Sequence, residues 1–306
     1  MKVLILTEKP FAPEAVKSIR EVIEAAGMEP VVLEKYTEKA QALEAVKEVD
    51  ALIIRSDQVD AGLLDAANKL KIVVRAGAGY DNVDLDAATA RKVVVMNTPG
   101  QNSNAVAELA LGLMVYAARN SYDGSSGTEL LGKKLGIHAY GNVGRNVARI
   151  AKGFGMEIYA YDAYCPAEVM KKDGVQPLAS AEELYAICQY VSIHIPANDE
   201  TKNSINHALL SRMPKKAVLI NTARKEVIHE AGLTQWMNER SDVKYLTDIQ
   251  PKNHETLVAA FPNRYFSTPK KMGAQTAEAN NNAGIAAANQ IVDFLLNGNT
   301  KFQVNT

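Results

Sequence analysis

An α/β protein built on two doubly wound parallel sheets is the fold this sequence predicts, and three observations predict it. Short apolar runs rich in Val, Ile and Leu alternate with amphipathic stretches almost from end to end. The runs are near-continuously apolar, as strands covered on both faces require. The 306 residues also exceed the ~250–300 at which a single core stops growing, so two domains are expected.

The elements follow in order. "KVLIL" is succeeded by the amphipathic "APEAVKSIREVIEAAG", then by "PVVLE", "EKAQALEAVKEV", "ALIIRS", "KIVVRAG" and "KVVVMN". These make residues 1–98 one doubly wound unit. "GQNSNAVAELALGLMVYAARN" has an apolar period near 3.6 and no proline, which suits a long helix tying two domains together. "SYDGSSGTELLG" breaks it, with Gly124, Ser125, Ser126 and Gly127 as a flexible surface loop. "LGIHAYG", "EIYAYD", "QYVSIHIP", "AVLINTA", "VKYLTDI" and "RYFST" then supply a second parallel sheet. The alanine-rich "AQTAEANNNAGIAAANQIVDFLLNG" is expected to be a helix that crosses back to finish the first domain. The expected division is 1–98 plus 280–306 for one domain and 99–279 for the other.

Composition bounds the function. Hydrophobic residues make 47% of the chain, charged residues 23%, and the net charge is −1 with both signs mixed. No basic footprint for nucleic acid or an anionic membrane is present. Cys165 and Cys188 have no ligand or CxxC spacing and are expected to be reduced thiols of a cytoplasmic protein. No metal site is expected. The apolar run near the start is too short for a signal peptide, and no stretch approaches the ~20 apolar residues of a membrane span.

"LGIHAYGNVGRNVARIAKGFGMEIYAYD" is a strand, a glycine turn, a helix and a strand ending in an acid, the context that a dinucleotide fingerprint needs. Gly141 lets the backbone approach a pyrophosphate, Gly144 lets the helix pack on the strand, and the helix N-terminus carries the phosphate charge. Asp162 closes the second strand, where an acid binds ribose hydroxyls and repels a 2′-phosphate. NAD is therefore expected over NADP. Ala139 stands where the first glycine of the pattern belongs. With φ above zero it costs roughly 1–2 kcal/mol; with φ negative its methyl is merely tight against the cofactor.

These and further motifs resemble the D-2-hydroxyacid dehydrogenase family over nearly the whole chain. The carriers are "RAGAGYDNVD" at 75–84, "VVMNTPGQNSNAVAE" at 94–108, the glycine fingerprint, "VSIHIP" at 191–196, "INTARKEVI" at 220–228, "LTDI" at 246–249 and "TPKKMGAQT" at 268–276. The likeness is strongest to the short members that act on phosphoglycerate and lack a regulatory extension. It implies NAD-dependent oxidation of D-3-phosphoglycerate, a small phosphorylated 2-hydroxy or 2-keto acid as partner, and a homodimer. It also implies cofactor contacts from Tyr140, Gly141, Asn142, Val143, Gly144, Asp162, His194, Pro196, Thr222, Ala223, Asp248 and Gly273. Substrate contacts are implied for Arg55, Ser56, Arg75, Ala78, Gly79 and Asn102, with Arg55 meeting the phosphate; Asn102 is also a natural N-cap for the long helix. Arg224, after a strand, can hold a carboxylate and polarise the reacting carbonyl. His194 is expected to be structural, beside the cofactor.

The chain departs from the family at its acid/base pair. The usual histidine lies in a Pro-His-x-Gly-Ala pattern, with a glutamate five residues after the strand-end aspartate. Here those places hold Lys270 or Lys271, and Asn253. Neighbours in an extended segment point to opposite sides. Lys271 is the expected acid/base, on the expectation that Gly273 and Ala274 open the next helix and set the register. A histidine near pKa ~6.5 needs a glutamate to hold its proton, whereas a lysine near ~10.4 does not. The two departures therefore belong together.

Overall fold

The computed structural model describes residues 1–305. The chain forms two compact units, Met1–Asn102 with Thr276–Thr306, and Ser103–Gln275.

The first unit holds β1 (Lys2–Thr7), α1 (Pro13–Ala25), β2 (Glu29–Glu34), α2 (Lys39–Ala45), β3 (Ala51–Ile54), α3 (Ala61–Ala66), β4 (Ile72–Arg75), α4 (Leu85–Ala90) and β5 (Val94–Asn97). The five strands are all parallel in the order β2-β1-β3-β4-β5. Every residue of β3 is buried, which explains why "ALII" shows no alternation. Pro13 starts α1, where its missing N–H is no loss. The buried stripe Ala15, Ile19, Ile23 packs on the last helix of the chain, Ala277–Asn297, which returns to this unit. Small residues are needed there, because a Cβ on Gly284 would stand 2.6 Å from the Ile19 Cδ1. Asn305 closes the outer edge of the sheet. Its side chain accepts the Val95 N–H at 2.7 Å and donates to the Val93 carbonyl at 2.9 Å, doing what a sixth strand would do.

The second unit opens with α5 (Ser103–Ala118) and continues through β6 (Lys134–His138), α6 (Asn142–Gly153), β7 (Glu157–Tyr161), α7 (Ala167–Lys172), β8 (Gln176–Pro177), α8 (Ala181–Ile187), β9 (Tyr190–Ile193), α9 (His207–Leu210), β10 (Val218–Asn221), α10 (Glu230–Glu239), β11 (Lys244–Thr247), α11 (His254–Ala260) and β12 (Tyr265–Ser267). Its strands are parallel in the order β12-β11-β10-β9-β6-β7-β8, so the strand order reverses between β6 and β9. Open α/β sheets bind ligands outside the C-terminal strand ends at such a point. The last helix of the chain is α12 (Ala277–Asn297).

α5 lies wholly within the second unit, against α6, β10 and β11. The Lys244 ammonium donates to the Ala117 carbonyl at 2.7 Å and to Asn120 Oδ1 at 2.9 Å, so a cation closes the C-terminal end of α5. The edge strand β8 is only two residues long and ends in proline; a strand that short has no pattern to read. Among the described residues no helix is long and apolar enough to cross a membrane.

Candidate active site

The glycine turn after β6 settles the question posed by Ala139. Its φ is +80°, the left-handed region, so the turn does need positive φ and the alanine carries that strain. The Ala139 N–H donates to the Tyr161 carbonyl at 2.8 Å, which binds the turn to the end of β7. Gly144 is needed for close packing: a Cβ there would lie 2.3 Å from the Ala139 carbonyl oxygen and 2.9 Å from the Ile137 Cγ2. Gly141 precedes α6 and is exposed, with nothing within 4 Å of the place a Cβ would take. Gly141, Asn142 and Val143 thus present main chain and open space at the start of a twelve-residue helix. These residues fit the pyrophosphate of a dinucleotide.

Asp162 is more occupied than an acid reserved for a ribose. Its Oδ2 accepts the Tyr140 N–H at 2.6 Å, and its Oδ1 accepts the Tyr164 and Cys165 N–H groups at 2.7 and 2.8 Å. It ties the glycine turn to the loop after β7. Of about four lone-pair directions on a carboxylate, one remains for a sugar hydroxyl. The Tyr140 ring turns into the core, and its hydroxyl donates to Asp173 Oδ2 at 3.2 Å. Burial first, then the Asp173 charge, holds that phenol above its ordinary range.

His194 follows β9, and its Nε2 lies 2.9 Å from the Ser192 hydroxyl. Burial, reinforced by His138, pushes its imidazole down to about 3. His138 closes β6 and is pushed down to about 4 by burial, against the pull of Asp162 and Glu182. A ring held neutral in this way is a weak proton acceptor. Pro196 is exposed just beyond.

The C-terminal ends of β10 and β11 gather the remaining groups. Arg224 Nη1 donates to the Ala223 carbonyl at 3.0 Å, and Lys271 Nζ reaches the same oxygen at 3.5 Å. The guanidinium and the ammonium therefore share one acceptor. Asp248 is fully buried; its Oδ2 accepts the Gly273 N–H at 2.7 Å and the Met272 N–H at 3.2 Å. Burial lifts its carboxyl above the usual range, opposed by the Gly273 N–H and then by the Lys271 charge. Asp248 Oδ1 and Thr222 Oγ1 are buried without a hydrogen-bond partner, two polar atoms at adjacent strand ends. Gly273 allows the approach, since a Cβ would stand 3.0 Å from Asp248 Oδ2 and 3.2 Å from Val106 Cγ2.

The expected cause of the lysine register is corrected. Gly273 and Ala274 do not open α12. Thr276 caps that helix by accepting the Ala279 N–H at 3.1 Å, and the lysine loop is held instead by Asp248 gripping Met272 and Gly273. The Lys270 carbonyl accepts the Thr268 hydroxyl at 2.7 Å. Asn253 donates to Thr234 Oγ1 at 3.0 Å at the start of α11.

In the first unit, Arg55 follows β3 and its guanidinium is engaged internally. Nη1 donates to the Lys9 and Pro10 carbonyls at 3.1 and 2.8 Å, Nη2 donates to Asn280 Oδ1 at 2.7 Å, and the group lies 5.1 Å from the Phe11 ring centroid. Ser56 is exposed beside it. Arg75 ends β4 and folds over Gly77, whose φ of +149° and lack of a side chain make the room. Ala78 and Gly79 follow, with the Ala78 carbonyl accepting from Asn97 Nδ2 at 2.6 Å. Asn102 is half-buried just before α5.

One residue was not foreseen. Asn221, fully buried at the end of β10, accepts the Ala223 N–H through Oδ1 at 3.0 Å and donates through Nδ2 to the Arg224 carbonyl at 3.0 Å. An asparagine ending an apolar run before a three-residue turn is a signal that could have found it.

Comparison with known proteins gives the family. The family model described as D-isomer specific 2-hydroxyacid dehydrogenase, catalytic domain, matches residues 3–305. D-3-phosphoglycerate dehydrogenase of Methanocaldococcus jannaschii is 34% identical over 96% of the chain, and this match covers 57% of that protein. The chain thus spans little more than half the length of such curated relatives. Hydroxypyruvate reductase of Thermotoga maritima is 32% identical over 85% of the chain and 89% of its own length. A crystal structure of NAD+-bound 3-phosphoglycerate dehydrogenase from Entamoeba histolytica is 47% identical, with a TM-score of 0.90 over 100% of this chain and 99% of the other. A family model that accounts for nearly every residue, on a fold with a dinucleotide turn and an arginine–lysine pair that shares the Ala223 carbonyl, places the chain in the D-isomer-specific 2-hydroxyacid dehydrogenase family.

Proposed function

We propose that the protein is an NAD-dependent dehydrogenase that oxidises D-3-phosphoglycerate to 3-phosphohydroxypyruvate. The observation that carries this reading is the convergence of Arg224 and Lys271 on the Ala223 carbonyl beside buried Asp248. The names of the relatives at 34% and 47% identity supply the substrate.

Gly141, Asn142 and Val143 would hold the pyrophosphate of NAD and Asp162 a ribose hydroxyl, and the cofactor would supply the hydride acceptor. Lys271 takes the proton of the C2 hydroxyl as that carbon is oxidised. Arg224 holds the carboxylate and stabilises the oxygen that becomes the keto group. Asp248 and Thr222, each with a buried oxygen that has no hydrogen-bond partner, would help to hold the cofactor. Asn253, whose amide is given to Thr234, puts no carboxylate where the family's glutamate would stand. Arg75, Ala78, Gly79 and Asn102 are the proposed contacts for the rest of the substrate.

A second reading is reduction of unphosphorylated hydroxypyruvate or glyoxylate. It is favoured by the internal engagement of Arg55, the proposed phosphate contact, and by the likeness to the Thermotoga maritima reductase. A third, a non-catalytic NAD(H)-sensing protein, draws on Ala139 and the missing histidine and glutamate. Following NADH absorbance with phosphohydroxypyruvate, hydroxypyruvate, glyoxylate and pyruvate separates them. The proposal expects the highest kcat/KM for phosphohydroxypyruvate. Preference for hydroxypyruvate would select the second reading; NADH binding without turnover of any acid would select the third.

A further inference from the structure

The turn that presents Arg224 is three residues long and carries a half-buried charged side chain at the end of a fully buried strand, so something must hold its shape. The four-residue β10 is buried throughout, and only Thr222, Ala223 and Arg224 separate it from the short 3-10 turn at Lys225–Val227. One side chain spans the turn. Asn221 Oδ1 accepts the Ala223 N–H, its Nδ2 donates to the Arg224 carbonyl, and the same Nδ2 lies 3.5 Å from the Tyr245 hydroxyl. Its main-chain oxygen accepts from the Thr247 hydroxyl at 2.8 Å and from the Asp248 N–H at 3.3 Å.

We infer that Asn221 is the positioning residue of the reaction. Its amide fixes both ends of the Ala223–Arg224 segment, and the peptide oxygen between them receives Arg224 and Lys271. Its backbone carbonyl anchors the strand end that carries Asp248. One buried amide therefore sets the mutual placement of the proposed carboxylate holder, the proposed acid/base and the buried acid. Only a carboxamide of this length does both tasks. A carboxylate would accept from Ala223 but face the Arg224 carbonyl with no proton to give, and a serine hydroxyl is too short to span the turn. Asn221 itself is fully buried, so it acts through Arg224 and Lys271 and not on the substrate. This inference rests on the proposed roles of those two residues.

The test is a double-mutant cycle with an exchange measurement beside it. Asn221→Ser, which retains a small acceptor, should lower kcat/KM for the preferred 2-keto acid by about 10²-fold, the usual scale of a misplaced group. The keto-acid KM should rise. In an Arg224→Ala background the same change should cost far less, because the group it positions is already gone. An equal loss in both backgrounds would mean that Asn221 only keeps the domain folded, and overturns the inference. Hydrogen exchange reads the clamp without any turnover. In Asn221→Ala the Ala223 amide should lose protection while the amides of β10 keep theirs; unchanged protection at Ala223 overturns the clamp. If Asn221→Ala fails to fold, the Asn221→Ser cycle decides. A wild-type protein that reduces none of the four acids sinks the functional reading alone, and the exchange result still stands or falls by itself.

Discussion

Asp162 ties down two loops and is also the residue proposed to meet the cofactor's ribose. Its carboxylate accepts three main-chain N–H groups, from Tyr140, Tyr164 and Cys165, before any sugar arrives. A substitution there would remove a charge that disfavours a 2′-phosphate and also release the glycine turn proposed to receive the pyrophosphate. Asp162→Ala is therefore predicted to weaken NADH binding by about 10–100-fold, the range for losing charge-assisted hydrogen bonds. The preference over NADPH should narrow without NADPH becoming a good ligand. Fluorescence titration of both cofactors checks this. Equal wild-type affinity for the two, or unchanged NADH affinity in the variant, contradicts it. The acid at the strand end was legible in the sequence from its spacing, but its grip on the turn was not, because nothing in the spacing shows which N–H groups a loop turns inward. Ala139 is a similar case. Sequence alone left its φ open, and only the backbone shows that the turn requires a positive value.

At the scale of single elements, β6 ends in the buried His138, and the half-buried His194 directly follows β9. Both rings are held neutral, His138 pushed down to about 4 and His194 to about 3, chiefly by burial. In the unfolded chain each returns to about 6.5. The unfolded state therefore binds more protons as pH falls through that value, and by linkage stability falls with it. These two contributions are full above about pH 6.5 and are lost progressively toward pH 3–4. Asp248, raised by burial, works in the opposite sense for at most one proton. Urea midpoints measured from pH 7 to pH 5, above the range where ordinary carboxylates titrate, should fall steadily, and the fall should be shallower in His138→Gln. A midpoint that is flat over that interval contradicts the burial of these rings as charged-form penalties. The strands themselves were the most legible elements, since "VSIHIP" and "AVLINTA" announce buried runs. β8 was not, being two residues at a sheet edge.

At the scale of the whole molecule, the alternation of apolar runs and helices was enough to reach two parallel sheets, and a returning last helix followed from the alanine-rich tail. The sheet orders β2-β1-β3-β4-β5 and β12-β11-β10-β9-β6-β7-β8 required the structure, because pairing between distant strands leaves no local trace in the sequence. The lysine register shows the same limit. Sequence counting favoured Lys271 through a helix start at Gly273, yet the helix begins at Ala277 and the loop is held by Asp248 across 25 residues of sequence. Reaction requires all these parts in one place: a cofactor seat, a carboxylate holder and a proton acceptor. The central claim is that Lys271 is that acceptor. Its most direct test is kcat for Lys271→Ala beside Lys270→Ala, with NADH affinity measured on both to show an intact seat. Lys271→Ala should lose about 10²–10⁴-fold in kcat, the size expected for a positioned proton-transfer group, while Lys270→Ala keeps most of the activity. Full loss in Lys270→Ala with an active Lys271→Ala, or two fully active variants, would contradict the account.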